Sequence, residues 1–228
     1  ESSDHIWAYW DDGGEALAEA RTLSHAKWMR WTLVSEHQMV ILEGNKHCYR
    51  ALSSASLENS FRDRLITGGA KFLKDTVLSC SEVAGQQRLK LLEGCELVVN
   101  RVFDSRSPNA PNNILLQHFV GWHVVMDCPV FDPNTAILMD FRVSQELGFH
   151  FMYILPFTDR TALIESTVFS TEVLPLAWYE NQIKMYLHRN FSGKLDRILK
   201  KENAIIPMAN LVPKNTFGTP IGMSAGAL

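Results

Sequence analysis

Two carboxylates, Asp140 and Glu165, interrupt otherwise apolar, strand-like segments in the stretch from residue 117 to 170. A carboxyl group moved into apolar surroundings is penalised when charged, so it must find a cation, bind a metal, or stay protonated and serve as an acid. In ILMDFRV the two-residue period of a strand puts Asp140 and Arg142 on one face and Met139, Phe141 and Val143 on the other. Such a pair either neutralises itself as a structural element or, kept ionised by the guanidinium, stabilises a cation. Glu165 has no basic neighbour in ALIESTVF, where alternation assigns Leu163 and Thr167 to its face and Ile164 and Ser166 to the other. Burial there raises its pKa and keeps a proton available, which a general acid requires; a glutamate pointing to solvent from an edge strand is the alternative.

Aromatic residues crowd the same stretch: Phe119, Trp122, Phe131, Phe141, Phe149, Phe151, Tyr153, Phe157 and Phe169. Ring faces attract a developing carbocation, although strands also carry aromatics as ordinary core. Metal chemistry has little support, because His118 and His123, five apart in a strand, face opposite sides. Cys48, Cys80, Cys95 and Cys128 form no close pair and read as reduced thiols.

The elements that position these residues follow from periodicity. A helix is expected over SASLENSFRDRLITGG, with Leu57, Phe61 and Leu65 four apart, a serine-rich start and Gly68 at its end. KFLKDTVLSCSEV, QQRLKLLE and CELVVNRVFDSR read as three strands that end in the polar loop from Ser105 to Asn113. HFVGWHVVM, AILMDFRVSQ, FHFMYILPF and TALIESTVF then follow with short turns, the pattern of an antiparallel sheet. Two covering helices are expected: one over LPLAWYENQIKMYLHRN, with Leu176, Tyr179, Ile183, Tyr186 and Leu187 on one face, and a short one through LDRILKKE. Trp7, Trp10, Trp28 and Trp31 read as core or pocket wall.

This order of elements predicts an α+β fold, divided into a region 1–113, an antiparallel sheet with helices over 114–205, and a return to the first region over 206–228. The 228 residues, 46% hydrophobic and 21% charged, are ample for a buried core, and a formal charge of -3 offers no field for phosphate backbones, so nucleic acid is not an expected partner. A complete G-x-G-x-x-G fingerprint is absent, as are a charged-then-apolar leader and an apolar run long enough to span a bilayer. The chain reads as an excerpt of a longer protein.

At these residues the chain resembles the FAD-dependent lycopene cyclases of carotenoid biosynthesis. MDFRV with Gln145, then FMYILPF, ALIESTVFS, KENAIIPM and IGMSAG look like that family's motifs in their order; HIWAYW is similar to its histidine-x-tryptophan segment, and VVNRVFDSR to the strand and Asp-x-Arg turn near its flavin. Three departures stand out. The family's first strand with its glycine-rich phosphate loop is missing at the front, its flavin-contacting residues after the IGMSAG turn are missing at the back, and Ser166 stands where many relatives carry a second acidic residue.

The resemblance implies a flavoprotein fold, with part of a Rossmann-like FAD domain joined to an antiparallel substrate domain, and an isomerisation without net redox: protonation of an end double bond of lycopene, attack by an internal alkene, and loss of a proton to leave a β-ionone ring. It implies Glu165 as catalytic acid or base and Asp140 as charge stabiliser. Phe141, Arg142, Tyr153 and Glu202 would shape the pocket, and Asp104, Arg106, Gly222 and Gly226 would contact the flavin. It implies reduced FAD, NAD(P)H as reductant, and a cytoplasmic protein peripherally associated with a membrane. A prenyl reductase or hydroxylase of the same superfamily and a non-catalytic carotenoid-binding protein are the rival readings.

Overall fold

Segments with alternating apolar side chains pair into sheets here, and the computed structural model describes residues 4–104, 113–208 and 219–220. In chain order the elements are β1 (Ile6–Asp11), α1 (Ala18–Leu23), β2 (Ala26–Trp28), β3 (Arg30–Val34), β4 (Met39–Glu43), β5 (Cys48–Ser53) and α2 (Ser54–Thr67). They continue with β6 (Val77–Val83), β7 (Gln86–Leu91), β8 (Glu96–Val99), β9 (Phe103–Asp104), β10 (Leu116–Met126), β11 (Thr135–Asp140), β12 (Phe149–Pro156), β13 (Thr161–Ser170), α3 (Leu176–Asn190), β14 (Leu195–Pro207) and β15 (Thr219–Pro220).

The chain divides into two compact units, one of Glu1–Phe61 with Asn113–Met208 and the other of Arg62–Asn112 with Ala209–Leu228. The expected region 1–113 is therefore split. Its first part belongs with the later sheet because β3 pairs in parallel with β11, a long-range contact that no local pattern announces. In the smaller unit β6, β7 and β8 form an antiparallel meander, and β9 pairs in parallel with β15.

The larger unit is built on a seven-stranded sheet in the order β14-β10-β13-β12-β11-β3-β4 and a three-stranded sheet in the order β1-β5-β2. Strand alternation gives the large sheet two apolar faces. On one, Trp122, Val124, Met126, Met152, Ile154 and Ile164 pack with Tyr179, Ile183, Tyr186 and Leu187 of α3, so the apolar stripe of that helix is spent on the sheet. On the other, Leu155, Leu163 and Ala136 pack against Trp28 and Ala51 of the small sheet, and Trp28 donates its indole N–H to the Pro156 carbonyl at 3.1 Å. Each fully buried Ile, Leu or Met contributes roughly 1.5–3 kcal/mol relative to exposure.

One expected element is replaced. LDRILKKE does not form a helix but opens β14, a 13-residue strand paired with β10 over nearly its whole length. Leu, Arg, Lys and Glu are good helix formers, but such propensities amount to only tenths of a kcal/mol per residue, and a continuous ladder to a buried strand outweighs them.

Candidate active site

Direct pairing sets Glu165 of β13 opposite Tyr153 of β12 on one side and Gly121 of β10 on the other, and Gly121 opposite Glu202 of β14. Paired residues point to the same face. Glu202, Gly121, Glu165 and Tyr153 thus form one row across four strands, on the face covered by the small sheet. Glu165 is 9% exposed and Glu202 4%.

Glycine at position 121 is what lets the two acids meet. A Cβ added there would lie 3.0 Å from Cγ of Glu165 and 3.1 Å from Cγ of Glu202. In its absence both side chains lean over β10, and their Cγ atoms flank the space that a Cβ would fill. Burial, reinforced by the neighbouring Glu202 carboxyl and the hydrogen bond to it, raises the pKa of Glu165 well above the ordinary carboxylate range. The direction of that shift, toward the protonated form, is the one a general acid needs.

The rest of the site frames this row. Glu202 accepts a hydrogen bond from the Ile6 amide at 3.2 Å, and its Oε2 lies 3.8 Å from Nδ1 of His5 and 3.7 Å from Nε2 of His123. Tyr153 shares a 2.7 Å hydrogen bond with the hydroxyl of Tyr49, whose pKa burial pushes up to about 12. Farther along the same face come Phe119, Phe151 and Phe169, and Phe141 packs beside Phe149 at 5.1 Å and Phe151 at 5.8 Å between ring centroids. Phe149 is exposed, so the aromatic row runs from the surface toward the acids.

Asp140 is a correction to the sequence reading. It pairs with Met152, which faces α3, and so points away from the row that holds Glu165. The cause is a β-bulge: between Ile137 and Asp140 the register of β11 slips against both neighbours, and the extra residue reverses the alternation. Beneath α3, Asp140 is 0% exposed and bound by Arg142 Nε at 2.9 Å, Arg142 Nη2 at 2.5 Å and the Tyr186 hydroxyl at 2.5 Å. Burial works to raise its pKa, but these hydrogen bonds prevail and the net shift is downward. Asp140 and Arg142 form a structural ion pair outside the Glu165 row, while Phe141, Tyr153 and Glu202 belong to the Glu165 face.

Glu202 is no solvated acid at a helix end, because the segment before it is a strand. Nor does the second carboxyl come from the position after Glu165. Ser166 faces α3 and hydrogen-bonds Nε2 of His150 at 2.9 Å, and the partner acid arrives from two strands away. Sequence reasoning missed Gly121, although an isolated glycine inside HFVGWHVVM is a recognised mark of close approach. Of the residues that the resemblance assigns to a flavin, Asp104 pairs in the backbone with Pro220, two residues before Gly222; Arg106, Gly222 and Gly226 lie outside the described residues.

Comparison with known proteins gives the fold and the family. A geranylgeranyl bacteriochlorophyll reductase-like protein from Thermoplasma acidophilum superposes with a TM-score of 0.62 at 11% identity, over 88% of this chain and 56% of that one. The halogenase PltM in complex with FAD gives 0.57 at 11% identity, over 84% of this chain and 48% of that one. The shared architecture is an α+β flavoprotein fold. A lycopene beta-cyclase from Paracoccus sp. is 28% identical over 174 residues, 74% of this chain but 42% of that relative's length. The family profile described as lycopene cyclase protein matches residues 2–228, and the chain belongs to the lycopene cyclase family.

Proposed function

We propose that the intact protein is a lycopene β-cyclase, an FAD-dependent isomerase that closes the linear ends of lycopene into β-ionone rings. The observation that carries this reading is the buried Glu165, its pKa raised by burial and by the Glu202 carboxyl beside it, at the inner end of an aromatic row. Glu165 gives its proton to the terminal double bond, the tertiary cation is attacked by an internal alkene, and loss of a ring proton to a carboxylate completes the isomerisation. Phe151 and its neighbours face the hydrocarbon, exclude water and stabilise positive charge by cation–π attraction. Tyr153, tied to Tyr49, holds the wall of the site beside Glu165.

The parallel pairing of β9 with β15 fits a flavin site, since nucleotides bind beyond the carboxyl ends of parallel strands. Asp104, Arg106, Gly222 and Gly226 would hold FAD, with NAD(P)H as reductant. Reduced FAD supplies negative charge that favours a carbocation without net redox. The substrate is insoluble in water, so peripheral contact with a bilayer is part of the proposal; among the described residues no helix is long and apolar enough to cross one.

The test is chromatography and mass spectrometry of pigments from lycopene-accumulating cells that express the intact protein. The proposal expects γ-carotene or β-carotene of unchanged mass, and no cyclised product from folded Glu165→Gln. Hydrogenated or oxygenated pigment would establish the oxidoreductase reading instead. Unchanged lycopene with flavin-loaded protein would exclude cyclisation.

A further inference from the structure

We propose that Glu202 is the proton-sharing partner of Glu165, the two acids meeting in the notch left by Gly121 with Nε2 of His123 beside the pair. This inference rests on the reading of Glu165 as the acid of the cyclisation.

Adjacent strands are ~4.8 Å apart, so residues on β13 and β14 with β10 between them stand roughly 10 Å apart at the backbone. Only a missing side chain on the middle strand lets two glutamates meet over it, and Gly121 supplies that gap. Among the described residues the polar partner of the Glu165 carboxyl is Glu202. Glu202 in turn is the focus of the Ile6 amide and of two imidazoles. Nε2 of His123 is buried and has no hydrogen-bond partner, and it is 3.7 Å from Oε2 of Glu202. A buried imidazole nitrogen left unpaired is costly unless it serves a purpose, and a small contraction closes this gap.

The pair answers a requirement of the reaction. When Glu165 protonates the alkene, its O–H bond breaks, a C–H bond forms, and two carboxylates are left side by side. The carbocation and the Ile6 amide, which donates to Glu202, offset that charge. At ring closure a C–H bond breaks, its electron pair becomes the ring double bond, and the proton returns to the pair; transfer along the shared hydrogen bond restores Glu165. No proton is consumed, and no oxidant is needed. Glu202 is thus a positioning residue that keeps Glu165 charged with its proton. The other titratable groups around the pair are His5, His25, Tyr49, Tyr153, and Lys200, which is held by Asp4 at 3.1 Å.

The experiment measures kcat against pH for the intact, flavin-loaded protein with lycopene in vesicles, together with the infrared carbonyl band of its protonated carboxyl. Glu202→Gln is expected to lower kcat by about tenfold or more and to move the alkaline limb of the profile acidward by about one pH unit. Gly121→Ala, which forces the acids apart, should move the limb in the same direction and shift the infrared band. If Glu202→Gln is inactive or unfolded, Gly121→Ala and its infrared band decide. A limb and band at their wild-type positions in both variants overturn the pairing and leave the Glu165 reading standing. Activity in Glu165→Gln overturns that reading itself.

Discussion

Asp140 and Glu165 stand on opposite faces of one seven-stranded sheet, Asp140 against Tyr186 of α3 and Glu165 beside Glu202 under the small sheet. The two carboxyls meet opposite fates for that reason. Asp140 is surrounded by donors and its pKa is lowered; Glu165 meets another acid and its pKa is raised.

Asp140→Asn is expected to destabilise the protein by about 2 kcal/mol, less than for a fully buried pair because Arg142 is partly exposed. Asn keeps one neutral carbonyl oxygen, for which Arg142 and Tyr186 must then compete. Chemical denaturation measures the change. Once corrected for folded fraction, turnover should stay near wild type; a loss of turnover in folded protein would return Asp140 to the chemistry.

The pH dependence of activity should show an alkaline limb. Glu165 is competent only while protonated, so kcat falls as pH rises through its elevated pKa, well above the ordinary 4.5. The same shift acts on stability with the same sign: the contribution is full below the unfolded pKa and is lost as pH rises through the folded one. Rates in buffers of constant ionic strength test this; a limb at the ordinary carboxylate range would remove the buried-acid assignment.

Acid should loosen the α3 side of the sheet. His150 is buried between the Ser144 carbonyl and the Ser166 hydroxyl, each at 2.9 Å, and burial lowers its pKa. His118, held by Tyr179 at 2.5 Å and Ser170 at 2.9 Å, is lowered for the same cause. A depressed folded pKa means stability that is present above about 6.5, the unfolded value, and lost as pH falls through the folded one. Melting temperature against pH should decline below that point, and His150→Gln should flatten part of the decline.

Phe149 and Phe151 separate binding from folding. Phe151 is 5% exposed and its replacement by Ala should cost about 3–5 kcal/mol, whereas Phe149 is 54% exposed and Phe149→Ala should stay within about 0.5 kcal/mol. If the aromatic row receives the hydrocarbon, Phe149→Ala raises KM several-fold with kcat little changed. An unaltered KM would remove Phe149 from the substrate path.

What the sequence determined by itself is local. The period of two in ALIESTVF assigned Glu165, Leu163 and Thr167 to one face, and the spacing in LAWYENQIKMYLHRN marked Tyr179, Ile183, Tyr186 and Leu187, which α3 buries, while Leu176 of the same expected stripe is exposed. The ordered motifs carried the family. Tertiary structure alone decided the rest, because it depends on partners distant in the chain. The bulge that turns Asp140 toward α3 exists only as a mismatch between β11 and its neighbours. Pairing with β10 made a strand of LDRILKKE. Glu165 and Glu202 became neighbours because two separate ladders brought them to either side of Gly121, and no alternation read along one segment can encode the register between segments.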